Sequence, residues 1–373
     1  MADAETDSLT AEQQACLALW AVPGLGPRTL AALRAFADGS LAPLAATPVR
    51  DWVSQAPVSA QVRRRLASVE RLSPVAWRVW EACQASGMKV AFQGQPGFPE
   101  RLAEVEDAPP LLFYRGAPGL PRRRLAMVGS RHPDQGFLPF ARRFAQQVAE
   151  SGVGVVSGAA AGVDRACHWG ALDAGGETWA FLGSALDALD TAQARLLPHF
   201  LARGGMFFSE LPPGVRASTT TFPRRNRLIS GASDAVLVLR AGTKSGSLYT
   251  AEAGRAQGRP VFAMPGDVRH EEAAGCNALL RDGRAATCLG PEDVWRALKI
   301  DPLAAVPPGT MGSWEDLTAE AKGAFALLDR VPRSFDEVLV GSTFSPAALV
   351  SALVELELTG LVIQHPGRLY ERI

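Results

Sequence analysis

The sequence predicts an α/β protein: a mostly parallel sheet covered by helices on both faces, a small helical domain before it and a winged-helix domain after it. Three observations predict this. Between about residues 124 and 292, short apolar runs alternate with amphipathic helical patterns, as expected of parallel strands buried on both faces. Most of those runs end in glycine-rich turns, which place a ligand rim beyond the carboxyl ends of the strands. A Pro/Gly-rich stretch, DPLAAVPPGTMGS at 301–313, then sets off a tail with its own helical periodicity.

The elements follow in order. Residues 1–87 read as helical, SAM-like or helix-hairpin-helix-like, around the turn VPGLGPRTL, with Trp77 and Trp80 at i, i+3 expected in its core. The segment 88–123, rich in Pro and Gly, reads as the entry to the sheet domain, 88–300. The expected strands are RLAMVGSR (124–131), VGVVSG (153–158), ETWAFLG (177–183), MFFSE (206–210), DAVLVLR (234–240) and PVFAMPG (260–266). Arg122, Arg123 and Arg124 precede the first strand, so they are expected to be solvated at the edge opposite the rim. After the linker, residues 314–373 run helix, helix, helix, hairpin, which is the winged-helix order. The helix expected at 345–359 carries Glu355 and Glu357 and no Lys or Arg, a poor match to a phosphate-lined groove.

Composition bounds the function. At 373 residues, 47% apolar and 20% charged, the chain has room for several packed domains. The formal net charge is zero, so contact with nucleic acid must come from a local patch. The five cysteines stand apart with no CxxC pair, which argues against a zinc ribbon or a disulfide framework and fits a reducing cytosol. No signal sequence or membrane span is expected.

The stretch 222–251, FPRRNRLISGASDAVLVLRAGTKSGSLYTA, concentrates four arginines and Lys244 around one apolar strand. Its second half, GTKSGSLYTAEA, reads as a loop feeding a helix N-terminus, where free amides favour an anion. Asp164 and His168, four apart on one expected helix, admit a catalytic or metal-pair reading, but the preferred reading is a loop-capping carboxylate and an imidazole packed within the rim. Glu210 is expected to hold the arginine box in place.

Taken together, SGAAAGVD, FPRRNRLISG, TKSGSLYTAEA and MPGD, in this order, resemble the bacterial DNA-processing protein A (DprA) family over nearly the whole chain. The resemblance implies an extended Rossmann-like core, a homodimer, and sequence-independent binding of single-stranded DNA. It also implies loading of the RecA recombinase during natural transformation, a cytoplasmic location, no catalytic residue, no metal and no cofactor. By position it implies DNA contacts at Gly129, Ser130 and Arg131, and at Ser157, Gly158, Gly162 and Asp164. It implies further contacts at Phe222, Arg225, Asn226 and Arg227, and at Lys244, Ser245, Gly246 and Ser247. Two departures stand out: Arg240 occupies a position usually acidic in the family, and LDALDTAQARLLPHF lacks the usual Tyr-Pro pair. The rival reading is a nucleotide-cleaving phosphoribohydrolase, with Glu252 as its carboxylate, although its PGGxGTxxE loop is absent. A third reading makes the core a dimerising scaffold and assigns function to the winged helix.

Overall fold

The computed structural model describes residues 9–116, 123–134, 136–300, 317–329, 331–358, 362–365 and 369–372. The chain divides into two compact units, residues up to 302 and from 303 onward.

The first unit opens with helices α1 (Ala11–Trp20), α2 (Pro27–Phe36), α3 (Ala42–Ala46), α4 (Ala60–Ala67) and α5 (Leu72–Ala85). Thr10 caps α1 with a capping box to Gln13, and Pro27 starts α2, where a missing amide costs nothing. Trp80 packs partly against the core, but Trp77 is 51% exposed, contrary to expectation. The i, i+3 spacing put the two indoles on one face, and that face only grazes the core.

Among the described residues, nine strands form one sheet. They are β1 (Lys89–Phe92), β2 (Leu111–Arg115), β3 (Arg123–Gly129), β4 (Val153–Ser157), β5 (Thr178–Phe181), β6 (Met206–Ser209), β7 (Ala235–Arg240), β8 (Val261–Ala263) and β9 (Ala286–Thr287). The order is β1-β2-β6-β5-β4-β3-β7-β8-β9. From β6 to β9 all neighbours are parallel, and β2 and β1 add an antiparallel edge. All six expected strands are present. β1, β2 and β9 were not anticipated, because two lie in the Pro/Gly-rich segment read as a domain entry and the third is two residues long. Trp20 Nε1 donates to the Glu210 carbonyl at 2.6 Å, and one hydrophobic cluster runs from Leu9 through Phe113 to Phe207. The N-terminal helices and the sheet therefore share a core.

The remaining helices of this unit are α6 (Glu100–Ala103), α7 (Phe137–Glu150), α8 (Val163–Asp173), α9 (Thr191–Ala202), α10 (Thr221–Gly231), α11 (Ser247–Ala256), α12 (Ala274–Arg281) and α13 (Pro291–Leu298). The arginine box is thus helical, and Pro223 is tolerated because first-turn amides have no partner within the helix. The arginine run before β3 is not solvated throughout. Arg124 is buried, its guanidinium 4.5 Å above the Trp179 ring, and Asp234 accepts from its amide while pairing with Arg123. The Asp234 carboxylate, together with an aromatic face, draws these cations onto the sheet edge.

The second unit contains α14 (Ala319–Ala326), β10 (Arg333–Ser334), α15 (Phe335–Val340), α16 (Pro346–Leu358), β11 (Val362–His365) and β12 (Leu369–Arg372). Its strands pair antiparallel in the order β10-β12-β11 over a core that includes Phe325, Leu353 and Tyr370. This is the winged-helix arrangement. Glu355 accepts from the amide and hydroxyl of Thr318, the N-cap of α14, so this carboxylate serves the packing of the unit. The linker expected at 301–313 lies outside the described residues. No helix among the described residues is long and apolar enough to cross a membrane.

Candidate nucleic-acid interface

The strand order fixes where a ligand can sit. The chain runs outward from β3 through β4, β5 and β6, then returns to place β7 on the other side of β3. The loops leaving β3 and β7 therefore diverge and open a crevice at the carboxyl edge. A cleft of about 610 Å³ lies there, lined by Gly129, Ser130 and Arg131 from one loop and Gly242, Thr243, Lys244, Ser245 and Gly246 from the other. Asp164, Phe222, Arg225, Asn226 and Ser247 complete the expected part of the lining.

Two glycines let the loops come this close. At Gly162, φ is +85°, and an added Cβ would lie 2.4 Å from the Ser130 carbonyl oxygen. At Gly158 an added Cβ would lie 2.3 Å from Arg225 Nη1. Between these glycines and the cleft sits Asp164, which accepts from the amides of Gly129 at 3.4 Å and Gly158 at 3.2 Å. Burial pushes its carboxyl up, while the Arg225 guanidinium and the loop amides pull it back down. Asp164 thus caps loops, as the simpler reading had it.

The arginines of α10 divide by helix face. Arg225 is 5% exposed and donates through Nη1 to the carbonyls of Gly158 at 2.6 Å and Phe181 at 2.5 Å. Its Nε donates to Asn226 Oδ1, and Asn226 Nδ2 donates to the Gly246 carbonyl at 3.1 Å. Burial lowers the Arg225 pKa to about 10, so it stays charged at neutral pH. The expectation of a solvent-facing cation here does not match the geometry: Arg225 touches the cleft from below and ties together the loops after β4 and β5. Arg227 does not line the cleft at all. Two residues on, a helix turns by more than half a revolution, and Arg227 Nη2 pairs with buried Glu210 at 2.5 Å while Nη1 donates to the Asp107 carbonyl. Glu210, its pKa raised by burial and lowered by Arg227, holds the box as expected.

Ser157 and His168 also fall inside the protein. Ser157 Oγ donates to the Met127 carbonyl at 2.6 Å. Thr178 donates its only hydroxyl proton to Val155, so it accepts from His168 Nδ1 at 2.6 Å. His168 Nε2 then accepts from the Ala159 amide. With burial first and then Arg225 and Arg165 acting on it, His168 is pushed down to about 3 and is a neutral Nδ1–H tautomer. Ser157, Gly158, Gly162 and Arg227 are thus behind or away from the cleft surface.

What remains open to solvent is a smaller set. Arg131 and Lys244 are exposed, line the cleft, and have no carboxylate partner among the described residues. Arg131 lies 5.3 Å over the Phe222 ring. Beneath them, half-buried Ser245 and buried Ser247 share a hydroxyl pair at 2.8 Å at the start of α11. Tyr249, 63% exposed, also lines the cleft and was missed, although its place two residues after the Ser-Gly-Ser turn was readable. Glu271 and Glu272 supply an acidic wall, which no motif in the chain anticipates. Arg240 turns to Asp134 at 2.6 Å instead of adding to the cleft. Glu252 lies outside the lining and pairs with Arg284 at 2.8 Å and Arg255 at 3.6 Å.

Comparison with known proteins agrees with this architecture. The family described as DNA recombination-mediator protein A matches residues 89–299, and the DprA winged helix domain matches residues 310–368. The Smf protein of a Synechocystis strain is 32% identical over 314 residues, covering 74% of this chain and 78% of that protein. A putative DNA processing protein DprA of Mycobacterium tuberculosis is 36% identical over 284 residues, covering 75% and 73%. Among solved structures, DprA of Streptococcus pneumoniae aligns with a TM-score of 0.64 at 27% identity, over 79% of this chain and 99% of that one. DprA of Helicobacter pylori, solved for its single-stranded DNA binding mode, aligns with a TM-score of 0.51 at 25% identity, over 57% and 97%. With the family matched through the sheet and the winged helix alike, this chain belongs to the DNA recombination-mediator protein A (DprA) family.

Proposed function

We propose that the cleft holds the backbone of single-stranded DNA without regard to sequence, and that the chain thereby protects incoming strands and delivers them to a RecA recombinase. The observation that carries this is the pair of uncommitted cations, Arg131 and Lys244, on the two loops of one switch point. Cations placed among amides and hydroxyls neutralise phosphates and release counterions, which gives affinity without base reading. Aromatic faces at Phe222 and Tyr249 add a stacking surface that an unpaired strand offers and a duplex conceals. The single-stranded DNA binding mode reported for the Helicobacter pylori relative supports the same ligand. DNA contact is assigned to Gly129, Ser130, Arg131, Phe222, Asn226, Lys244, Ser245, Gly246 and Ser247. Asp164 and Arg225 form part of the cleft floor and hold its loops, while Ser157, Gly158, Gly162 and Arg227 shape the cleft from behind or beside it. The protein is further proposed to work in the cytoplasm as a homodimer, with no cofactor and no catalytic step.

The test is a gel-shift titration of single- and double-stranded DNA across salt. Binding to the single strand is expected to be tighter and to weaken steeply with salt. Lys244→Ala and Arg131→Ala are each expected to reduce the salt slope by about one. Wild-type slopes in both variants would remove the cleft as the binding site.

A further inference from the structure

The cleft is not uniformly basic. Among the described residues, six charged side chains line it: the cations Arg131, Arg225 and Lys244, and the carboxylates Asp164, Glu271 and Glu272. Arg225 and Asp164 are buried in its floor and offset one another. What a ligand meets is therefore two cations and two carboxylates, and the two kinds are segregated. Arg131 follows β3 and Lys244 follows β7, while Glu271 and Glu272 come from the turn after β8, the next strand in the order β3-β7-β8.

The acidic turn is firmly held. The Gly275 amide donates to the Ala241 carbonyl at 2.8 Å, and the Asn277 side chain exchanges hydrogen bonds with the Gly266 main chain at 2.9 and 3.1 Å. A Cβ added at Gly242 would lie 3.3 Å from the Glu271 carbonyl oxygen, so the turn abuts the loop that carries Lys244. Glu271 is exposed, Glu272 is half-buried, and neither carboxylate has a hydrogen bond or ion pair among the described residues. Within 4.8 Å of Glu272 lie ligand atoms of His270 and of Asp134, and the Asp134 carboxylate already engages Arg240.

Free carboxylates beside a phosphate site weaken it for any polyanion that cannot keep its charge away from them. A single strand can do so. It carries phosphates along one side and uncharged bases along the other, so its backbone can lie on Arg131 and Lys244 while no phosphate approaches the glutamates. A duplex has no uncharged side, because its bases are enclosed between two phosphate rails. Those rails stand about 6 and 12 Å apart across the two grooves, close to the distance of about 10 Å over which charges act in 0.1 M salt.

We propose that Glu271 and Glu272 set the selectivity of the cleft: they repel the second strand of a duplex and so reserve Arg131 and Lys244 for unpaired DNA. Discrimination then comes from a repulsive element as well as an attractive one. This role rests on the single-strand reading of the cleft.

The test measures the affinity of the full chain for an oligothymidylate and for a duplex of equal length, across salt. Glu271→Gln/Glu272→Gln is expected to raise duplex affinity about tenfold and single-strand affinity no more than about twofold. The duplex gain should shrink as salt rises, and should be lost when Arg131→Ala and Lys244→Ala are added. Glu271→Asp/Glu272→Asp keeps the charge and should keep the wild-type preference. Glu70→Gln/Glu81→Gln removes the same charge from exposed positions elsewhere and should leave the preference unchanged. An equal gain for both ligands in the glutamine variant, or none, with wild type still binding through Arg131 and Lys244, would overturn the selectivity role alone. A fall in its single-strand affinity would overturn that role too, and would mean that the glutamates hold the strand, directly or through a divalent cation. Wild-type salt slopes in both Arg131→Ala and Lys244→Ala would overturn the reading of the cleft, and the selectivity role with it.

Discussion

Arg225 and Lys244 lie against the same cleft, yet they are opposite kinds of cation. Arg225 is buried, donates to two carbonyls, and faces the buried carboxylate of Asp164. Lys244 is exposed on a loop with no hydrogen bond or ion pair among the described residues. One cation builds the loops and the other is left for a ligand. A cluster of arginines in a sequence therefore does not count the charges a ligand will meet. The helix phase and the carboxylates waiting in the fold decide how many remain.

The sharpest way to break this comparison is Arg225→Met. The substitution strands the carbonyls of Gly158 and Phe181 and removes the cation that lowers the Asp164 carboxyl. Loss of one member of a buried charged network costs about 3–5 kcal/mol, read as a lower midpoint in urea denaturation. Unchanged stability together with a reduced salt slope for DNA would make Arg225 a phosphate ligand after all, and erase the distinction from Lys244.

His168 extends the comparison to pH. Its folded pKa of about 3 lies well below the ordinary imidazole value, so between those two pH values the unfolded chain binds a proton that the folded chain refuses. The unfolded state then gains as pH falls, and stability present at neutral pH is lost through that window. The contribution is on the order of a few kcal/mol. In His168→Phe that loss is absent, so the stability gap between wild type and variant is expected to narrow steadily from pH 7 to pH 4. Taking the difference cancels the opposite trends of Asp164 and Glu210, whose pKa values are raised. A constant gap would mean that His168 titrates normally.

How much of this was readable beforehand follows from the same division. The parallel strands were legible because burial on both faces leaves uninterrupted apolar runs such as DAVLVLR. The antiparallel edge was not, since KVAF and LLFYR sit among turn residues, and LLFYR, which carries KVAF, joins the sheet through β6, far along the chain. The cleft was located correctly because glycine-rich strand ends mark a rim by topology alone. Which arginines reach its surface was not legible, for that needed the helical phase of residues 221–231 and the positions of Glu210 and Asp107. Arg240 was flagged by its departure from the family pattern, but its partner Asp134 lies more than a hundred residues earlier.

The finest test concerns Arg131, which shares exposure with Lys244 but not its isolation. Its guanidinium lies 5.3 Å over the Phe222 ring, and the same ring would lie 3.0 Å from a Cβ added at Gly183, so it is fitted closely to the loop after β5. A guanidinium resting on an aromatic face is held in place before DNA arrives, whereas an ammonium there keeps its hydration and moves freely. Arg131→Lys preserves the charge, so the salt slope is expected to stay as in wild type. The stacking contribution, about 0.5–1 kcal/mol at an exposed site, should appear as a loss of about two- to fivefold in single-strand affinity at every salt concentration. A parallel displacement of the two salt plots would show that Arg131 is positioned by Phe222, and coincident plots would reduce it to a point charge like Lys244.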